Sequence, residues 1–336
     1  MGISRYENQF MNWVFEIMQN GFYQKNERTG VATKRISHLI LGVDCSNECP
    51  ILKAKKTFWK SSVEEAFWIF RDGSNDIHDL RPHIWDDWAD ENGIVQKTYG
   101  YQIKQYDQVN RILNDLAKDS STRRAVIDLW NNADLPEMAI TPCVYTSVWD
   151  IVDGKLNVLV TSRSCDLLVG GVFNIFQYTI LNKLFARHLG VEPGILTFVA
   201  ADAHIYENQF EGCDHMLKQY QVLLSIGIVA DMFGGLAAMT NEQYIEYVRS
   251  QAAKDISADE NDPGTILNIS RFKAVCPIIN EMLENDPEYN FIDLYNSDPS
   301  IRIDDNGSTN FFDTVIDDIH VDGYMSMPRI DFPVAV

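Results

Sequence analysis

DGKLNVLVTSRSCDLLVGGVFNIFQYTILNKLFARHLG, residues 153–190, decides the fold. Asp153-Gly154 is a two-residue hairpin turn. The β-branched run KLNVLVTSR (155–163) after it reads as a strand pairing back onto YTSVWDIV (145–152). FNIFQYTILNKLFARHLG (173–190) reads as a long helix stopped by Gly190. A buried strand, ILTFVAADAHIY (195–206), follows. Two strands, a helix and a return strand place an apolar sheet against a helix.

The pattern continues outward in mixed order. Residues 1–20 carry Phe10, Trp13, Val14, Ile17 and Met18 at helical spacing. A polar loop, QKNERTGVATK, precedes a strand at 36–43. Residues 61–70 read as a helix that a serine could cap, 104–118 as another helix, and 125–130 as a strand. Beyond residue 217 two helices are legible, NEQYIEYVRSQAAKD and SRFKAVCPIINEMLEN, separated by turn-rich stretches such as SADENDPG. This irregular order predicts an α+β fold over a regular βαβ barrel.

Composition limits function. The 336 residues hold 28 Lys+Arg against 48 Asp+Glu, a net charge of −20. Such a surface is unsuited to non-specific nucleic-acid or acidic-membrane binding. A few placed arginines still suffice for one phosphate. Residues 251–336 alone hold 17 acidic and 5 basic side chains, a solvated acidic face. Six cysteines in this length form no disulfide framework, and Cys45-x-x-x-Cys49 has no second pair to complete a zinc site. No run approaches a membrane span, and MGISRYENQF carries no secretory pattern, so the expectation is a cytoplasmic protein with no metal.

Several residues could carry chemistry. Cys143, in TPCV between two strands, could be a small buried hydrophobe or a nucleophile activated by a nearby cation. Arg163, at the end of the paired strand, is the candidate cation. Arg28, Arg123, Arg124 and Arg163, with Ser164, suit a phosphate dianion, although each alone could be a surface ion pair. Asn174 could cap its helix or offer an amide to a pyrimidine edge. His204 and Tyr206 alternate on a strand and share one face, fit for a sugar hydroxyl.

In this order the residues resemble the thymidylate synthase family. ERTG (27–30), EEAFWIF (64–70), IWDDWADENG (84–93), TYGYQ (98–102), STRRAVIDLWNNADL (121–135), PCV (142–144), the 153–178 block, DAHIYENQ (202–209) and GYMSMPRIDFPVAV (323–336) follow one another as in the family. The resemblance covers about residues 1–216 and 309–336. It implies a single catalytic domain over 1–336, with an acidic, partly helical insertion at about 217–308 and a closing tail at 323–336. It also implies a mixed twisted sheet that forms a dimer interface on one face and carries helices on the other.

The resemblance assigns roles. Cys143 would attack C6 of dUMP, and 5,10-methylenetetrahydrofolate would supply the carbon. Arg28, Arg163 and Ser164, with Arg123 and Arg124 from the partner subunit of a homodimer, would hold the phosphate. Asn174 would read the uracil, and His204 and Tyr206 the 3′-hydroxyl. Glu65 and Tyr99 would manage proton transfers. Asp166 would bind the pterin; Trp85, Trp88, Gly170 and Phe173 would line the folate side, and the Val336 carboxylate would close the site.

Three positions depart from the family: Val144 replaces a histidine, Ser162 a glutamine and Val172 a proline. Val144 and Ser162 would leave room for an ordered water, which suits the related dUMP hydroxymethylases, where water traps the exocyclic methylene and tetrahydrofolate leaves. Trp85, Trp88 and the PVAV ending suit hydride transfer and thymidylate synthesis. A third reading, an inactive interaction protein using the acidic insertion, conflicts with intact Cys143, Arg163, Asn174 and Tyr206.

Overall fold

The computed structural model describes residues 2–254 and 263–334, without the side chains of 263–268. Helix α1 (Arg5–Asn20) begins at Ser4, whose hydroxyl accepts the Glu7 N–H at 3.0 Å. Strands β1 (Phe22–Lys25) and β2 (Ala32–Asp44) form a hairpin around the Arg28 loop. The polar loop read from sequence is thus partly strand. β1 is exposed at all four residues, so no apolar alternation marks it.

Helix α2 (Trp59–Ala66) runs into a π-turn at Phe67–Arg71. It starts at Phe58, without the expected serine cap. The helix expected over 104–118 is two, α3 (Gly100–Gln105) and α4 (Gln108–Lys118), broken at Asp107, whose φ is 45°. β3 (Val126–Asp128), β4 (Val144–Val152), β5 (Lys155–Ser162) and the short β6 (Cys165–Asp166) lead to a π-turn at Leu167–Gly171. α5 (Val172–Leu189) follows and ends at Gly190 in the left-handed conformation (φ 67°). β7 (Glu192–Tyr206) returns through the sheet.

The seven-stranded sheet has the order β1-β2-β7-β5-β4-β3, with β6 also on β7. β5 and β6 run parallel to β7, and the other neighbours are antiparallel. This confirms the mixed α+β sheet. Leu39, Leu41, Val43, Leu156, Val158, Val160, Leu196 and Phe198 form part of one buried core with residues of α1 and α5. The opposite face leaves Ile40 58%, Leu159 43% and Ile195 46% exposed.

Helix α6 (Phe210–Met232) continues unbroken through residue 217 and was not legible as a helix. It packs with α7 (Asn241–Ala252) and α8 (Pro263–Asn285). α9 (Phe291–Asn296) and the hairpin β8 (Ser300–Ile303)–β9 (Ile319–Asp322) lead to the tail. Buried Lys53 ties these parts together. Its Nζ donates to the carbonyls of Gly2 (2.8 Å), Tyr295 (3.0 Å) and Ser297, and its own carbonyl accepts the Met327 N–H at 2.7 Å. Among the described residues no helix is long and apolar enough to cross a membrane, and no three His, Cys, Asp or Glu gather as metal ligands.

Candidate active site

The start of β4 and the ends of β5 and β7 meet at one end of the sheet, and Cys143 stands there immediately before β4. It is partly exposed. Arg163, one residue beyond β5, donates its backbone N–H to the Cys143 carbonyl at 2.9 Å. Its guanidinium grips the loop before the cysteine, donating to Pro142 O (2.9 Å), Thr141 O (2.7 Å) and Thr141 Oγ1 (2.6 Å). It also lies over the Trp130 ring, 5.7 Å from the centroid. Burial pushes the Cys143 thiol up, against the opposing pull of Arg163, a Tyr99 hydrogen bond and Arg28. The cation expected at Cys143 is therefore present, although burial outweighs it.

Ser162, fully buried, donates its hydroxyl to Cys143 O (3.1 Å) and Ser164 O (2.9 Å). Val144 is also buried. Val144 and Ser162, two of the three departures from the family pattern, are thus both shielded from bulk solvent.

Glu65 reaches the site from α2. Trp85 Nε1 donates to its Oε1 at 2.7 Å, and Gln177 Nε2, from α5, donates to its Oε2 at 2.5 Å. Burial raises its pKa to about 7, with both donors opposing the shift. Trp85 packs edge-on to Trp88 and Tyr99, with centroids 5.5 and 5.2 Å apart. Tyr99 holds a φ of 38°, and its hydroxyl oxygen accepts the Cys143 N–H at 2.8 Å.

Asn174 is the third residue of α5, not its cap; Gly171 occupies that position. The Asn174 side chain makes no hydrogen bond among the described residues and lies beside Gly170, where a Cβ would sit 3.9 Å from its Nδ2. Phe173 lends its carbonyl to Ser62 Oγ at 3.2 Å. His204 and Tyr206 share one face as expected, with ring centroids 5.0 Å apart. Asp202 lies 3.1 Å from His204 Nδ1 and pairs with Arg35 at 2.5 Å. Burial raises the Tyr206 hydroxyl, and Arg28, in the hairpin loop, is near enough to the end of β7 to oppose that shift.

Asp166 lies at the inner wall. Its Oδ2 accepts Gln209 Nε2 at 2.9 Å, whereas buried Oδ1 has no hydrogen-bond partner among the described residues. Burial raises this carboxyl. An unpaired buried carboxylate oxygen is costly and fits an N–H-bearing heterocycle such as a pterin. Lys55 Nζ, its pKa lowered to about 8 by burial, donates to Leu168 O at 2.9 Å and sits over the Phe332 ring.

Arg123 and Arg124 stand apart. Both are exposed and make no side-chain hydrogen bond or ion pair among the described residues. Arg163 and Arg28 act on the Cys143 thiol; these two do not. Val336 lies outside the described residues. Gln177, Gln209 and Lys55 were missed from sequence. Gln177 lies inside the 153–178 block and Gln209 ends DAHIYENQ, yet only their distant partners give them a role.

Fold and site define an α+β enzyme built on a cysteine. The thymidylate synthase family model matches residues 8–229. A thymidylate synthase of Clostridium beijerinckii is 37% identical over 213 residues, covering 62% of this chain and 81% of that protein. One of Bacillus licheniformis is 35% identical over 239 residues, covering 65% and 86%. The solved thermostable thymidylate synthase A of Bacillus subtilis superposes with a TM-score of 0.70 at 25% identity, covering 98% of this chain and 99% of that one. This chain belongs to the thymidylate synthase family. It is a one-carbon transferase.

Proposed function

We propose that this chain methylates dUMP at C5 to give dTMP, with 5,10-methylenetetrahydrofolate as co-substrate and no metal. The observation that carries the reading is Cys143 held between Tyr99 and Arg163 at the sheet end, with Arg28 and Asp166 near enough to act on its thiol. Cys143 adds to C6 of the uracil, which turns C5 into a nucleophilic enolate carbon. Bound methylenetetrahydrofolate supplies the one-carbon unit and the reducing hydride and leaves as dihydrofolate.

The chain's own residues do the rest. Arg28, Arg163 and Ser164 bind the 5′-phosphate and so orient the base over Cys143. The free Asn174 amide reads O4 and N3–H. His204 and Tyr206 hold the 3′-hydroxyl, and Asp202 fixes the His204 ring. Glu65 manages the proton at O4, and the Tyr99 hydroxyl removes the C5 proton. Asp166 takes the pterin through its unpaired Oδ1. Trp85, Trp88, Gly170 and Phe173 border the folate side.

The exposed Ile40, Leu159 and Ile195 face supports an isologous homodimer. The free Arg123 and Arg124 then complete the phosphate site of the partner subunit. The chain is read as one cytoplasmic catalytic domain, with 217–308 as an acidic elaboration and 323–336 as the closing tail. The test is mass spectrometry of both products after incubation with dUMP and methylenetetrahydrofolate. A methylated nucleotide with dihydrofolate is expected. A hydroxymethylated nucleotide with tetrahydrofolate overturns the methyl reading, and turnover by Cys143→Ala overturns the mechanism.

A further inference from the structure

Gln209 is 1% exposed, just ahead of α6, and all its hydrogen-bonding groups reach functional segments. Its Oε1 accepts the Tyr206 N–H at 3.1 Å. Its Nε2 donates to Asp166 Oδ2 at 2.9 Å and to the Pro333 carbonyl at 3.0 Å. One amide therefore joins the end of the sugar-binding strand, the pterin carboxylate and the C-terminal tail.

The tail is seated for this contact. A Cβ on Gly212, one turn into α6, would meet the Phe332 ring at 3.0 Å and the Ile330 side chain at 3.1 Å, so the absent side chain lets the tail lie close. Phe332 in turn lies 4.5 Å from Lys55 Nζ, and Lys55 binds the same Leu168 turn that follows Asp166. Two N–H donors of one side chain cannot shift independently. A ligand that draws on Asp166 changes the same amide that holds Pro333.

We infer that Gln209 is a positioning residue that couples folate binding at Asp166 to docking of the tail through Pro333. This rests on the folate reading of Asp166 given above. Gln209 acts through Asp166, Tyr206 and the tail. Its loss should separate folate affinity and tail order from nucleotide affinity, a division that a purely structural residue would not show.

The test compares wild type, Gln209→Glu and Gln209→Leu. Gln209→Glu keeps the shape and the acceptor for Tyr206 but removes both N–H donors. Gln209→Leu avoids a second buried carboxylate and serves, for the tail-protection readout alone, if the first variant fails to fold, because it also removes the acceptor of the Tyr206 N–H. Three quantities are read: the dUMP dissociation constant, the KM for methylenetetrahydrofolate, and carboxypeptidase release of tail residues with and without dUMP plus a non-reacting folate analogue. Wild type should show ligand-dependent tail protection. The folded variant should lose it, with folate KM up about tenfold and dUMP affinity within about twofold. Unchanged folate KM and protection in the variant overturn the inference. So does an equal loss of dUMP and folate affinity, or a wild-type tail indifferent to ligand. Failure of the underlying reading would show separately, as Asp166→Ala leaving the folate KM unchanged.

Discussion

Tyr99 Oη accepts the backbone N–H of Cys143 at 2.8 Å, across 44 residues of sequence, from a residue whose own backbone is left-handed. A non-glycine residue at φ 38° costs energy that the surroundings must offset. The next residue is fixed too: a Cβ on Gly100 would stand 1.9 Å from the Ser74 carbonyl oxygen. The conformation aims one hydroxyl at the nucleophile. Tyr99→Phe should therefore keep the fold and the dUMP adduct, seen by denaturing mass spectrometry, while kcat falls on the order of 100-fold. An unchanged kcat would remove Tyr99 from proton transfer.

Glu65 carries the second expectation. Its pKa of about 7 in the ligand-free chain predicts an inflection near neutral pH in the kcat/KM profile, absent in Glu65→Gln. The sign of a further change follows from its donors. The Trp85 and Gln177 N–H groups stabilise the carboxylate, so Trp85→Phe or Gln177→Leu should move the inflection to higher pH. A shift to lower pH contradicts this account.

Glu7 makes a stability prediction away from the site. Its Oε1 accepts the Lys53 and Ala54 N–H groups at 2.8 and 2.7 Å, while buried Oε2 has no partner among the described residues. Burial raises its pKa from 4.5 to about 7. An acid with a raised folded-state pKa binds more protons folded than unfolded, so its contribution to stability falls as pH rises from about 4.5 to 7. Glu7→Gln keeps the carbonyl acceptor and removes that slope. Urea titrations should show the variant gaining up to about 3 kcal/mol on wild type between pH 5 and pH 8.

Arg123 and Arg124 give the test of shared sites. Cys143→Ala and Arg124→Ala chains should each be nearly inactive alone. Unfolded together in equal amounts and refolded, they should recover about a quarter of wild-type activity, because half the dimers are mixed and each mixed dimer has one complete site. No recovery would confine each site to one chain. Leu159→Asp, on the exposed sheet face, should lower the mass in sedimentation and abolish that recovery.

The sequence made β4, β5, α5 and β7 legible because apolar runs there end at Asp153-Gly154 and Gly190, where the chain does turn. Cys143, Arg163, His204 and Tyr206 were legible because each sits at a strand end and strand pairing fixed their neighbourhood. α6 was not. Apolar residues surround it on nearly every side, as in FEGCDHMLKQYQVLLSIGIVADM, so no stripe reveals its period. β1 hid for the opposite reason, being exposed throughout. Gln177 and Gln209 are ordinary amides whose role exists only through contacts 112 and 43 residues away. Asp107 broke a helix that periodicity had made continuous, because a left-handed backbone leaves no mark in an apolar pattern.

The seam between β2 and β7 joins Thr33 to Tyr206 and Asp44 to Ile195, residues far apart along the chain. Contacts of such long sequence separation form late, since loop-closure entropy must be offset before they contribute. The Arg28 loop and Tyr206 face each other only once that seam has closed. A refolding chain consequently acquires its helices and the local β4–β5 hairpin well before it has anywhere to hold a nucleotide. Regain of catalysis then lags behind regain of circular dichroism, and ligand is unable to rescue the early, aggregation-prone species.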